Sequence, residues 1–369
     1  MPVPWIRPLR SALVSAFAGA CILLGFALPA WQCATGSKSL QPGFDPDAPP
    51  AQYLSEYGFF AGEAMALAPA AGVLPYELVS PLFSDYAEKT RFVYLPPGTQ
   101  AAYHQQEAFD FPVGTALVKT FWYPREDGQK HLVETRLLLK RKDGWDALPY
   151  RWNEAGTEAE LALAGARLTV KPSVPGMDLE AFDYVIPNKN QCKGCHSVSG
   201  KFAPIGPKAR NLNRRLDYGS GAVNQLDYWQ QAGILSGLPE PSARPALADY
   251  ADASQQLNER AIAYLEINCG HCHRPEGPAN TSGLHLTSLE NDPAHLGFCK
   301  SPVAAGKGSG GLRYDIHPGQ PDSSILLYRM QQQDPGVRMP ELGRQLLHKE
   351  GVALIREWIA SLPGDCLMP

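Results

Sequence analysis

Cys192-Lys193-Gly194-Cys195-His196 and Cys269-Gly270-His271-Cys272-His273 are two copies of one pattern, C-x-x-C-H. It constrains the chain more than any other feature. Two thiols three positions apart can add to the two vinyl groups of a single haem, and the adjacent histidine then supplies an axial nitrogen to the iron. With 8 Cys and 9 His in 369 residues, chance predicts roughly 0.004 copies. A thioredoxin-like pair would need a βαβ setting, which the sequence lacks. The two pairs also stand too far apart for an ordinary zinc ribbon. The expected cofactors are two covalently bound haem c groups, one on Cys192, Cys195 and His196, the other on Cys269, Cys272 and His273. Covalent attachment keeps a haem in place outside the cell.

The N-terminus agrees with export. Arg7 and Arg10 precede an apolar run from Ser11 to Trp31, the layout of a signal peptide or, uncut, of a membrane anchor. Leu28-Pro29-Ala30 offers a cleavage point, and Cys33 is a poor fit to a lipoprotein box. Residues 1–31 are read as signal or anchor, and the Pro-rich 32–51 as linker. The expected location is periplasmic, or anchored in a membrane and facing the periplasm.

Residues 52–186 carry short β-rich runs, Arg91–Leu95, Ala116–Tyr123, Leu132–Lys140 and Ala166–Val170. Turn signals such as Asp127-Gly128 and Asp143-Gly144 separate them. This region reads as an antiparallel β domain of unknown role. His104 and His131 stand alone in it. Past residue 187 the strand pattern fades. Leu257, Ala261, Tyr264 and Leu265 recur at helical spacing, as do Leu354, Ile355 and Trp358. The expected fold class is α+β multidomain: the β-rich domain, a first haem-binding module at 187–253, and a second haem domain at 254–369, both modules mainly α-helical.

Net charge is −4, which gives no basic field for nucleic acid. Locally, Pro187–Leu216 holds Lys189, Lys193, Lys201, Lys208, Arg210, Arg214 and Arg215 with no acid. That stretch reads either as pairing with haem propionates or as a docking surface for an acidic redox partner. Cys299 and Cys366 lie outside the motifs, and an oxidising compartment favours a disulfide between them. The Gly306–Gly311 loop fails the P-loop pattern. Arg329 is a further candidate for a propionate.

From Leu257 to Leu362 the chain resembles a c-type cytochrome domain. LNERAIAYLEINCGHCH is similar to its first helix running into the haem motif, PGQPDSSILLYRM and MPELG to its middle and distal segments, and GVALIREWIASL to its closing helix. The resemblance implies Met339 as the sixth ligand opposite His273. More widely, PYELVSPLFSDYAEKTRFVYLPPG, FDFPVGTALVKTF, NKNQCKGCH, PIGPKARNLN and PVAAGKGSGG resemble an exported diheme c-type cytochrome family whose members mostly have no assigned role. For the first haem the sixth position stays open between Met177, Met330, His271 and no ligand. A closed iron implies electron transfer between redox partners. An open one implies a haem-dependent oxidoreductase that uses the β domain for its substrate. No catalytic residue is assigned.

Overall fold

Alternation of inward and outward side chains, punctuated by glycine-containing turns, builds a six-stranded sheet. Its strands are β1 (Val73–Pro75), β2 (Glu88–Tyr94), β3 (Ala116–Pro124), β4 (Lys130–Arg141), β5 (Gly144–Trp152) and β6 (Ala159–Leu161). They follow one another in space as in sequence, every neighbouring pair antiparallel. The structure is a computed structural model and describes residues 41–174, 176–303 and 305–366. The signal or anchor segment 1–31, the start of the linker, and Cys21 and Cys33 lie outside the described residues. Linker residues 41–51 are held on the sheet: Arg141 Nη1 donates to the Pro46 and Ala48 carbonyls (3.1 and 2.6 Å).

The two faces of the sheet bury different things. On one, Phe92, Val118, Leu137 and Tyr150 pack beneath Leu54, Tyr57 and Phe59. On the other, Val93 and Leu117 meet Leu212, Leu226 and Trp229 from beyond residue 187. On that same side, Phe121 and Val133 meet Tyr184 and Ile186. Tyr184 and Ile186 belong to the hairpin β7 (Ala166–Val170) and β8 (Phe182–Ile186). A β-bulge between Phe121 and Trp122 turns this end of the sheet toward the hairpin. Between the two contact zones the sheet face stays open and floors a cleft.

The strand readings match β2, β3, β4 and β7 within a few residues at each end. The strand β5 was not anticipated. Pro149 interrupts its pattern; it pairs with Arg136 of β4, and a proline is tolerated there because β6 pairs only with Tyr150–Trp152.

The expected two mainly α-helical cytochrome c modules are not what the chain builds. After residue 187 the helices are α1 (Lys189–Cys195), α2 (Ala209–Leu212), α3 (Gln225–Gln231), α4 (Leu257–Asn268), α5 (Ile325–Gln331) and α6 (Lys349–Ser361). Among the described residues only α4 and α6 exceed seven residues. Short strand pairs fill the gaps, including Arg215–Asp217 with Ala222–Asn224 and Leu235–Ser236 with Ala101–Ala102. The physical reason is punctuation. Prolines and glycines recur too closely for long helices, and α2 and α3 bury their apolar side chains in one cluster with the sheet. The core thus crosses position 187, and the described residues form one compact unit.

The helical spacing at either end of the last third is realised in α4 and α6. Tyr264 of α4 lies where any side chain at Gly351 of α6 would stand, so the close approach of the two helices requires that glycine. Leu265, Leu327, Ile355 and Trp358 complete this core. A disulfide joins Cys299 to Cys366, 67 positions apart.

Candidate cofactor site

The first motif begins at a capping box. Asn188 Oδ1 accepts from Gln191 N (2.8 Å) and Gln191 Oε1 accepts from Asn188 N (2.9 Å), which starts α1 one turn before Cys192. The helix ends at His196. Its Nδ1 lies 3.0 Å from the Ala203 carbonyl, and its ring stacks on Phe202 at 5.1 Å and 2°. A carbonyl can only accept, so Nδ1 carries the proton and Nε2 keeps its lone pair. That is the tautomer a metal-ligating histidine needs, and its carbonyl partner is the usual outer support.

The second motif follows α4. Gly270 is required there, because a Cβ would come within 2.7 Å of the Leu286 carbonyl. His273 Nδ1 lies 3.1 Å from Ser282 Oγ, whose own proton goes to the Ala279 carbonyl (2.7 Å). Here too Nδ1 donates and Nε2 is free. Burial holds both imidazoles in the neutral, ligating form, pushing His196 and His273 down to about 4.

The motifs touch. Cys272 Sγ lies 3.7 Å from the Gly194 carbonyl. The donor atoms of Cys195, His271 and Cys272 all lie within 4.8 Å of one another. Cys195 and Cys272 share a hydrogen bond that holds the Cys195 thiol well below its ordinary range and raises that of Cys272. Cys192, Cys195, Cys269 and Cys272 are all unbridged.

The cleft above the sheet joins these parts. Cys192, Cys195, His196 and His271 line it, with Leu117 and Leu138 from the sheet and Met330, Met339 and His348 from the last third of the chain. His271 is buried, and its Nδ1 has no partner among the described residues. Two lining arginines also have a buried nitrogen with no partner among the described residues, Arg91 Nη2 and Arg344 Nε. Such orphaned donors are costly unless a polar group meets them. An apolar cleft with thiols, ligand-ready imidazoles and orphaned cations fits a haem and its carboxylates.

Of the candidates for the first haem's sixth position, Met330 and His271 face the cleft. Met177 does not line it; it lies in the turn between β7 and β8, bridged to Val174. Met339 lines the cleft with His196, whereas His273 is not among the lining side chains. Glu341 and Arg344, from the segment that follows Met339, act electrostatically on Cys272 and Cys269. Arg329 donates from Nε to the Val337 carbonyl (2.8 Å). The Gly306–Ser309 loop forms a single 3₁₀ turn.

Four of the seven cations in the basic stretch are paired with carboxylates of this chain. Lys189 pairs with Asp146, Lys208 and Arg210 with Glu266, and Arg214 with Glu77. His104 caps a local turn by accepting from Glu107 N (2.9 Å). Sequence reasoning missed Arg91, Lys119 and Arg136, which line the cleft from the sheet. The signal was present: period-two spacing puts Lys119 on the face of Leu117 and Phe121, where a lone cation needs an explanation. Burial, then Arg91 and Arg136, push the Lys119 amine well below the ordinary lysine value.

No family model, no curated protein and no solved structure matches this chain. Among the described residues no helix is long and apolar enough to cross a membrane.

Proposed function

We propose that the chain is an exported diheme c-type cytochrome that passes electrons between periplasmic or membrane-bound partners. The observation that carries the reading is the contact between two C-x-x-C-H motifs, each with its histidine held by Nδ1 and free at Nε2. Bound haem iron supplies one-electron chemistry. The chain's own residues do the rest. Cys192 and Cys195 anchor one group, and Cys269 and Cys272 the other. Ala203 and Ser282 orient the two imidazoles. Met339 would be the thioether ligand of the haem held by His273, and such ligation raises a reduction potential. Juxtaposed motifs favour transfer within the molecule, and exposed Lys193 and Lys201 beside the first motif offer an acidic partner a landing point.

A second reading has its own observation. Cys195, His271 and Cys272 could hold a metal ion directly. It leaves Cys192, Cys269 and both supported histidines without a role. The deciding experiment is a pyridine haemochrome assay on the exported protein with metal analysis. Two haems per chain support the cytochrome; bound zinc with no haem overturns it. Adding CO to the reduced protein then separates carrier from enzyme. Unchanged spectra support a closed carrier, and a shift in half of the haem supports an open, reactive iron.

A further inference from the structure

Arg91, Lys119 and Arg136 form a row across three neighbouring strands. Arg91 of β2 stands directly opposite Lys119 of β3, and Lys119 directly opposite Arg136 of β4. All three side chains leave the same face of the sheet. Like charges in directly opposed positions destabilise a sheet, and these three line a cleft rather than open solvent. Such a row persists when an anion lies across it.

The protein supplies only part of that anion. Glu134, two residues before Arg136 on the same face, accepts from Arg136 Nε (2.8 Å) and from the Tyr184 hydroxyl. It neutralises one cation. Glu77, which also acts on Arg91, is paired with Arg214 (2.9 Å). Arg91 Nη1 reaches only the Lys89 carbonyl at 3.5 Å, and its Nη2 has no partner among the described residues. Lys119 Nζ rests over the Phe121 ring at 4.5 Å. Arg91 and Lys119 therefore face the cleft without a carboxylate. Cys192, Cys195 and His196 line the same cleft.

We propose that the Arg91–Lys119–Arg136 row is a carboxylate seat, filled by a propionate of the haem carried on Cys192 and Cys195. The inference rests on the diheme reading above. It gives the β sheet a role: it is half of the first haem's crevice, and its cations set that haem's potential. Positive charge beside the iron favours the ferrous state, so removing it lowers the potential and removing Glu134 raises it.

The test is a potentiometric titration of the full exported holoprotein, wild type and variants, with haem content measured in each. Arg91→Gln and Lys119→Met should each lower one of the two potentials and leave the other in place. The expected size is about a tenfold change in the oxidised-to-reduced ratio, or about 59 mV for a one-electron couple. Glu134→Gln should move the same potential upward, and it decides the matter if the cation variants do not fold. Two haems present but neither potential moved by any variant overturns the proposal. So does a saturable change in the wild-type haem spectrum on adding succinate, lost in Arg91→Gln, because the seat would then serve a diffusible carboxylate. A changed response to CO in Lys119→Met also overturns it, making Lys119 an iron ligand. Fewer than two haems in the wild-type protein contradicts the diheme reading instead.

Discussion

At the scale of single residues, the account rests on side chains whose polar atoms are accounted for and on a few that are not. His196 and His273 each donate from Nδ1, which leaves Nε2 with its lone pair. Met339 is the test of the second haem. Met339→Ala should leave both haems attached, since attachment depends on the cysteines. It should also let CO bind to one haem in the reduced protein, read as a partial spectral shift. Asp85 works differently. It is buried with φ 51°, in the left-handed region, and accepts from Gln345 N (2.6 Å) and Leu346 N (2.7 Å). Burial pushes its carboxyl up, against those two amides and the nearby Arg344 and Arg338. Asp85→Ala would strand two amides and should cost about 2–4 kcal/mol, measured by chemical denaturation.

At the scale of elements, α4 leads directly into the second motif and holds one buried acid. Glu266 accepts from Arg210 (2.6 Å) and Lys208 (3.2 Å), and its other oxygen accepts from Ser288 N (2.8 Å). Burial alone would raise its pKa, but Lys208 and Arg210 outweigh burial and hold it at about 2. Its folded value is depressed, so its contribution is full above the unfolded value of about 4.3 and is lost as pH falls toward 2. The contribution is about 3 kcal/mol. Acid denaturation followed by circular dichroism should show this loss between about pH 4 and 2, and Glu266→Gln should remove that part of the slope. The amphipathic spacing of α4 and α6 and the alternation of β2, β3 and β4 were legible in the sequence, because period and turn chemistry are local. The short helices α1 to α3 were not distinguished from a helical module. Their apolar side chains are answered by the sheet, a partner at long range that no local pattern names. Both C-x-x-C-H motifs were legible in the sequence, but their mutual contact was not, since it depends on where α1 and α4 pack.

At the scale of the whole molecule, the β region and the motif-bearing region share their cores. Trp229 is buried with Tyr76 and Phe109, at ring distances of 5.9 and 6.2 Å. Arg274, next to His273, pairs with Glu107 through two contacts of 3.1 and 2.7 Å. Unfolding should therefore be one transition by fluorescence and by haem absorbance alike. A fragment beginning at residue 254 should lose Lys208 and Arg210, the cations that pair with Glu266, and fold poorly, read by proteolysis. The Cys299–Cys366 bridge ties down the far end. Replacing both cysteines with serine should cost about 2–4 kcal/mol, seen as a lowered Tm in both probes. The central claim is that this one body carries two haems side by side on the paired motifs. The measurement that tests it most directly is the intact mass of the exported protein under denaturing conditions. The account predicts the mature chain plus two haems, falling to one when Cys192 and Cys195 are both replaced by alanine. A chain that carries no haem, or one whose count is indifferent to those cysteines, would contradict it.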